Sequence, residues 1–250
     1  MRKTKQVLIV PLLAVLVLPA SQEPQQPTFL QGRERTAFLA AVEAKMQEVV
    51  RVVAEFEQEK HLQLFEDVVK SQGLIVYEAP DRLRWEIQSP FSSVLVVAGD
   101  QVAKFEGVDG KLQKLELGRA GDIVLAVMGQ IRTWFRGNFD KAGGTYLVQV
   151  AQKPQPLVVL QPLDKVMQKG LERIELSLSE DLSAVTCVTI RESGGDFTVM
   201  RCTGLVPVPP LPTECFSVTA PAPLDKDVLR QASAAAAAAA RAARGGEAKK

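Results

Sequence analysis

The sequence has 250 residues, of which 46% are hydrophobic and 24% charged, and its formal net charge is only +1. This composition is typical of a folded domain and excludes a disordered chain, while the near-neutral charge argues against nucleic acid as a partner. The chain carries one histidine and three cysteines. That is too few for a disulfide scaffold or for a structural zinc site.

The first twenty residues have the pattern of a secretory signal peptide. Arg2, Lys3 and Lys5 precede an apolar run from Val7 to Leu18, and small residues follow it, which predicts cleavage near Ala20. The apolar run of about 12 residues is short for a membrane span, which needs about 20, although an uncleaved anchor is the alternative. We therefore expect residues 1–20 to be removed and the mature protein to act outside the cytoplasm.

The mature chain begins with a Gln/Pro-rich stretch, residues 21–35, that is predicted to be a flexible linker. An amphipathic helix is predicted from about Thr36 to Val53, because apolar residues recur there at spacings of three and four. A second helix is predicted across 122–136. Elsewhere the apolar period is mostly two, which predicts short antiparallel strands: 54–60, 74–77, 82–87, 93–98, 102–105, 112–117, 145–150, 157–160, 174–178, 185–192, 197–203 and 215–218.

This order of elements predicts one domain over residues 36–220. The chain has no alternation of strands with helices, so the predicted fold class is mainly β (α+β), with one curved antiparallel sheet and helices packed on its concave face. A rigid Pro-rich crossing at 207–212 and an alanine-rich tail over 221–250 follow. The tail is predicted to be frayed or partly helical, and weak contact of its basic residues with an anionic membrane is the alternative.

The first two cysteines flank a predicted hairpin. Gly194-Gly195 predicts a two-residue turn, and pairing across that turn places Cys187 opposite Cys202. Directly opposed residues lie close enough at Cα for a disulfide. We expect either this cross-strand disulfide or two buried free thiols, with Cys215 left over.

The sequence contains no recognisable motif for catalysis or for cofactor binding. His61 lies beside Lys60 in a charged strand end and is predicted to be a solvated surface residue. Cys187 and Cys202 lack the close spacing of redox-active cysteines, so a thiol-active protein is only an alternative. We expect no enzyme activity, no metal site and no cofactor.

The strands carry more apolar surface than two helices can cover. Either loops complete a packed core, or the sheet encloses a cavity whose aliphatic walls suit an acyl chain. Eight side chains are assigned to one cavity face: Leu74, Val76, Leu83, Trp85, Ile87, Leu95, Val97 and Phe105. The second helix supplies the candidate lid residues, of which the last two are equally compatible with a core role: Val124, Met128, Ile131, Trp134 and Phe135.

An ordered series of short motifs occupies residues 56–100: Phe56-x-Gln58-x-Lys60, Ser71-x-Gly73-x-Ile75-x-Tyr77, Pro80-Asp81-x-Leu83-Arg84-Trp85-Glu86, Pro90, Ser93-x-Leu95-Val96 and Gly99-Asp100. The series resembles the LolA-like lipoprotein carrier family. The resemblance implies an unclosed β-barrel with helices as a lid over a hydrophobic cavity. It also implies a non-catalytic, monomeric periplasmic carrier that shuttles the acyl chains of lipoproteins, or related envelope lipids, toward the outer membrane.

The resemblance further implies two partners, an inner-membrane ABC transporter complex and an outer-membrane receptor. Family members carry an arginine, linked to lid closure and cargo hand-off, immediately before the proline that corresponds to Pro80. This chain has Ala79 there, which leaves the gating and the release partner open. The alternative function is a periplasmic lipid-sensing or regulatory domain of similar fold, with the 207–212 segment or the tail as its interaction surface.

Overall fold

The computed structural model describes the backbone of residues 26–64, 67–118, 121, 129–131, 133–139, 144–224, 226–227, 229–230, 234 and 238, and the side chains of these residues except 204–207. The predicted signal peptide and most of the alanine-rich tail lie outside the described residues. None of the helices in the described part is long and apolar enough to span a membrane.

In the described part of the chain, an α-helix precedes the sheet. Helix α1 spans Gly32–Gln47, so it begins inside the predicted linker and ends before the predicted Val53. Its buried face consists of Phe38, Leu39, Val42 and Met46, which recur at the helical spacing. The linker prediction is therefore wrong for residues 32–35, and Phe29 also bridges to Ala151 of the sheet.

Within the described residues, eleven antiparallel strands form a single sheet, which confirms the predicted fold class. The order across the sheet is β6-β5-β4-β3-β2-β1-β11-β10-β9-β8-β7, so β6 and β7 are the two edges of an unclosed barrel. The strands are β1 Arg51–His61, β2 Val69–Glu78, β3 Arg82–Ser89, β4 Ser93–Ala98, β5 Gln101–Val108, β6 Lys111–Leu115, β7 Tyr146–Ala151, β8 Leu157–Pro162, β9 Leu171–Leu178, β10 Val185–Glu192 and β11 Phe197–Pro207.

A predicted strand at 215–218 is absent, because Thr213–Phe216 forms a 3₁₀ turn instead. Pro209, Pro210 and Pro212 precede this turn and have no backbone N–H to offer to a ladder. Residues 208–224 consequently leave the sheet and fold back over the outer face of β1 to β5. Val208, Leu211, Cys215, Phe216 and Leu224 are buried there. The Pro-rich segment is thus partly a packing element, with Leu211 facing the sheet.

The strand register divides the eight side chains predicted to share a cavity face. Paired residues of adjacent strands point to the same face. Trp85 pairs with Ile75 and Leu95, which assigns these three side chains to the inner face. Leu83, Ile87 and Val97 follow the same alternation and belong to that face too.

The remaining three predicted cavity residues lie on the outer face. Leu74 pairs with Glu86, Val76 pairs with Arg84, and Phe105 pairs with Val94. All three pack under residues 208–224 in the outer-face cluster. The prediction of a common face is therefore wrong for Leu74, Val76 and Phe105, because residues 208–224 bury apolar side chains on the outer face as well.

An arginine joins residues 208–224 to the sheet. Arg84 on β3 is only 2% exposed. Its Nε and Nη2 donate to Oε2 of Glu86 at 2.9 and 2.6 Å, and its Nη1 donates to the carbonyl oxygens of Cys215 and Ala222 at 2.9 and 2.6 Å. One buried side chain therefore fixes both ends of the 215–222 stretch against the outer face.

A candidate apolar binding cavity

A cavity of about 450 Å³ lies on the inner side of the sheet. This volume falls within the range of about 300–1,000 Å³ that is usual for small-molecule sites. Among the described residues, the lining contains no aspartate, glutamate, lysine, arginine or histidine. The lining residues are Gln58, Ile75, Trp85, Gln130, Ile131, Trp134, Phe135, Thr145, Tyr146, Met167, Leu171, Ile174, Leu176, Val185, Val188, Ile190, Thr198, Met200 and Cys202.

Strands β9 and β10 form one wall of the cavity. Ile174 pairs with Ile190 and Leu176 pairs with Val188, so four branched aliphatic side chains point inward together. Every residue of β10 is only partly buried, which is consistent with a strand that borders a cavity on one side and solvent on the other.

The outer side of the same wall carries charge. Arg173 and Arg191 both pair with Glu175, at 2.6 and 3.1 Å. Burial opposes ionisation of this carboxyl, but the hydrogen bonds from the two guanidinium groups outweigh it and hold the pKa of Glu175 below its ordinary value. The alternation along β9 thus separates a paired charge cluster outside from an uncharged cavity inside.

The second cavity wall comes from helical residues 129–131 and 133–135, hereafter the crossing segment. Phe135 stacks on Tyr77 of β2, with ring centroids 5.3 Å apart. Trp134 makes an edge contact with Tyr146 of β7 at 6.3 Å. Because β2 and β7 lie in opposite halves of the sheet, the crossing segment bridges the open barrel over the cavity.

A glycine lets the end of this segment approach helix α1. Gly137 has φ +69°, and a Cβ on it would lie 2.8 Å from Cα of Glu43. Only glycine meets both demands without strain. The contact sets the crossing segment against α1, whose buried face packs into the same inner core as Trp134 and Tyr146.

The polar groups in the lining are neutral. Gln58, Gln130, Thr145 and Thr198 contribute amides and hydroxyls, and Tyr146 contributes a phenol. Burial raises the pKa of Tyr146 above its ordinary value of 10.0, so this side chain stays protonated at neutral pH. A few neutral hydrogen-bonding groups in an apolar wall suit an amphipathic ligand whose polar part is uncharged.

Some of the predicted site residues line the cavity and others do not. Of the eight predicted cavity residues, only Trp85 lines this cavity, while Leu83, Ile87, Leu95 and Val97 pack in the adjoining inner cluster. The lid candidates Ile131, Trp134 and Phe135 do line it. Val124 and Met128 lie outside the described residues.

Most of the wall formed by β9 to β11 lies outside the set of predicted cavity residues. A signal was present, because Ile174, Leu176 and Leu178 alternate with Arg173, Glu175 and Ser177. This is the pattern of a strand with one apolar face and one solvated face. The missed lining residues are Leu171, Ile174, Leu176, Val185, Val188, Ile190 and Met200.

The predicted disulfide is not formed, and Cys187 and Cys202 are free thiols. Cys187 pairs with Arg201, whereas Cys202 pairs with Phe56 of β1. The hairpin closes with Glu192 N–H donating to the Asp196 carbonyl at 2.9 Å, so three residues form the loop instead of two. A one-residue shift of register reverses the face of a side chain, which puts Cys187 outside and Cys202 in the cavity wall.

These positions predict unequal thiol reactivity. Burial raises the pKa of Cys202 to about 12, and burial also raises the pKa of Cys187 above its ordinary value. Since the thiolate is the reactive form, we expect a thiol reagent at neutral pH to leave Cys202 and Cys215 unmodified and to react slowly with Cys187. Mass spectrometry of labelled native and denatured protein measures this. If protein prepared without reductant fails to label, and reduction restores the labelling, the assignment of free thiols would be contradicted.

An unclosed antiparallel barrel with an uncharged inner cavity defines a class of proteins that bind apolar ligands. The family model described as "Outer membrane lipoprotein carrier protein LolA" matches residues 47–219. The chain belongs to this family.

The chain is also similar to individual proteins. An outer-membrane lipoprotein carrier protein from Dechloromonas aromatica (strain RCB) is 27% identical over 157 residues, which are 62% of this chain and 71% of that protein. A LolA superfamily protein from Nitrosomonas europaea superposes with a TM-score of 0.40 at 10% identity, covering 73% of this chain and 96% of that one. For the Pseudomonas aeruginosa MucA/MucB complex the TM-score is 0.33 at 12% identity, with 68% and 56% covered.

Proposed function

We propose that this protein is a non-catalytic periplasmic carrier that holds the acyl chains of lipoproteins, or of related envelope lipids, and takes them toward the outer membrane. The observation that carries the proposal is the cavity of about 450 Å³ whose described lining has no ionisable group except the protonated phenol of Tyr146 and the thiol of Cys202. Family membership and the name of the Dechloromonas relative support the same role. The predicted signal peptide is consistent with it.

Energetics explain why such a carrier is needed. Burial of an acyl chain is favourable by about 0.8 kcal/mol per methylene. The free energy of a chain of about 16 carbons therefore rises by on the order of 13 kcal/mol when the chain moves from a bilayer into water. Spontaneous transfer between two membranes is therefore very slow. A protein cavity that replaces the hydrocarbon environment removes most of that barrier, provided that it also releases the chain.

We propose that the crossing segment is the lid of the cavity. Its attachment to the sheet consists of ring contacts from Phe135 and Trp134, which are worth only about 0.5–1.5 kcal/mol each beyond the area they bury. The family's inner-membrane transporter complex and outer-membrane receptor are the partners proposed for loading and release, with Ala79 in place of the family arginine.

The experiment that tests the carrier function has two parts. Native mass spectrometry of protein purified from the periplasm should show a co-purified lipid or acylated peptide. Protein freed of lipid should bind a fluorescent fatty-acyl probe. Lipid-free protein that takes up no probe would contradict the proposed function.

A pair of neighbouring substitutions locates the ligand. Ile190 lines the cavity, whereas Thr189 pairs with Glu175 on the outer face, where the guanidinium groups of Arg173 and Arg191 offset the charge of another carboxylate. We expect Ile190→Glu to raise the Kd for the probe at least about tenfold, because a carboxylate in the apolar wall must be desolvated or must block the ligand. Thr189→Glu should leave the Kd within about twofold. If a probe titration showed equal loss of affinity in the two variants, the ligand would have to bind outside this cavity.

A further inference from the structure

One end of the sheet collects five of its strand connections. The connections β1–β2, β3–β4, β5–β6, β8–β9 and β10–β11 meet there, as the pairing of Lys60 with Val69, of Ser93 with Glu106 and of His61 with Phe197 requires. We call this end the hairpin rim. Four of the five other connections, β2–β3, β4–β5, β7–β8 and β9–β10, form the opposite rim.

Exposed apolar side chains are concentrated at the hairpin rim. Of nine large apolar side chains exposed in the described part of the chain, seven lie on its connections or the strand ends beside them. Phe91 at the tip of β3–β4 is 76% exposed, and Val166 in the β8–β9 connection is 73% exposed. The seven are Leu64, Val69, Phe91, Val108, Leu112, Leu163 and Val166.

The opposite rim differs in its exposed apolar side chains. Connections at both rims carry charged residues, but beside the opposite rim Val50, at 49%, is the one exposed large apolar residue in the described part of the chain. Scattered exposed apolar residues are normal on a protein surface. A marked excess at one end of a molecule requires an explanation.

The β8–β9 connection links the hairpin rim to the cavity. Oδ1 of Asp164 accepts hydrogen bonds from the backbone N–H of Val166 and of Met167, at 2.8 and 2.9 Å. Ser193 of the neighbouring hairpin donates to the Gln168 carbonyl at 2.6 Å. In this fixed turn Val166 is exposed to solvent while the next residue, Met167, lines the cavity. The exposed apolar rim therefore borders the cavity.

Charge on this connection favours an anionic surface. Its single carboxylate, Asp164, is engaged by the backbone N–H groups just described. Lys165 and Lys169 are exposed and make no ion pair with any described residue. Lysines beside exposed apolar side chains are typical of protein surfaces that contact anionic lipid headgroups while their apolar side chains enter the interface.

From these observations we infer that the hairpin rim is a membrane-docking surface, which places the cavity opening against the bilayer that supplies or receives the ligand. The apolar side chains protrude from separate hairpins spread across an eleven-stranded sheet, with neighbouring strands about 4.8 Å apart. A fluid bilayer interface accommodates such separated protrusions without a complementary shape. The inference deepens the proposed carrier function and rests on it.

Vesicle sedimentation tests the inference. The full chain is mixed with vesicles of phosphatidylethanolamine containing a minority of phosphatidylglycerol. We expect wild-type protein to co-sediment, and the double variant Phe91→Ser/Val166→Ser to bind at least about tenfold more weakly, because two buried apolar contacts are lost. The matched control is Val50→Ser on the opposite rim, which should bind as wild type does. Added salt should weaken binding only in part, through the lysines.

Probe uptake into the cavity separates the two proposals. The rim variant should keep the wild-type Kd for the fluorescent acyl probe in the absence of vesicles, since neither residue lines the cavity. If wild-type protein takes up the probe but ignores the vesicles, the membrane assignment is overturned, the carrier function stands, and a protein partner becomes the occupant of the rim. Equal loss of vesicle binding in Val50→Ser would also overturn the inference. Wild-type protein that takes up no probe would contradict the carrier function itself.

Discussion

Replacing Arg84 with methionine should lower the free energy of unfolding by about 3–5 kcal/mol, as expected when one partner of a buried ion pair is removed. The substitution leaves the Glu86 carboxylate without its guanidinium partner and removes the donor to the Cys215 and Ala222 carbonyls. Methionine fills much of the same volume, so the loss is mainly one of hydrogen bonds. Urea unfolding followed by circular dichroism measures it.

The chain offers a matched control for Arg84 in the pair Lys104–Glu106. It has the same two-residue spacing along a strand, but the Lys104 and Glu106 side chains are 38% and 46% exposed. Lys104→Met should cost no more than about 1 kcal/mol. Limited proteolysis gives a second measurement, since residues 208–224 should be cleaved faster in Arg84→Met than in either wild type or the control. If the two substitutions lowered the free energy of unfolding by similar amounts, the role of Arg84 in holding residues 215–222 against the sheet would be contradicted.

Gly73→Ala is expected to destabilise the protein by about 3 kcal/mol or more, at the upper end of overpacking effects. A Cβ at this position would overlap the carbonyl oxygen of Glu86 on β3 and would lie 2.8 Å from its carbonyl carbon. The overlapping atoms belong to the backbone, so they can separate only if β2 and β3 move apart. The register shift between Gln72 and Gly73 lies at the same point.

Gly194→Ala is the control for this prediction. No atom lies within 4 Å of a Cβ built on Gly194, and we expect its free energy of unfolding to stay within about 0.5 kcal/mol of wild type. Both variants can be compared in one series of urea titrations. A Gly73→Ala protein as stable as the Gly194→Ala protein would show that the two strands tolerate a wider separation.

The fold was largely predictable from the sequence because most strands obey a simple alternation. In β1, Glu55, Glu57 and Glu59 mark one face and Phe56 marks the other, and the structure has this arrangement. The alternation of buried and exposed residues does not hold in β2. Leu74, Ile75, Val76 and Tyr77 are all buried, since residues 208–224 cover the outer face, and a continuous apolar run carries no information about facing.

The candidate site was predictable in kind but less so in position. An uncharged inner surface and a helical segment across it were predicted, and Trp85, Ile131, Trp134 and Phe135 do line the cavity. The register error at Gly194-Gly195 had a different origin. A loop of two or three residues is decided by backbone hydrogen bonds that residue types alone do not specify, and one residue determines whether Cys187 and Cys202 share a face.

The outer covering of the sheet has a consequence for how this protein tolerates change. The cluster under residues 208–224 and the cavity wall of β9 to β11 share no residue, so much of the folding energy comes from a layer that no ligand touches. On the inner side, by contrast, wall residues such as Ile174 and Leu176 also belong to the core that packs with helix α1. Substitutions that reshape the cavity would therefore alter the inner core but leave the outer layer intact, so one part of the protein's stability does not depend on the shape of the cavity.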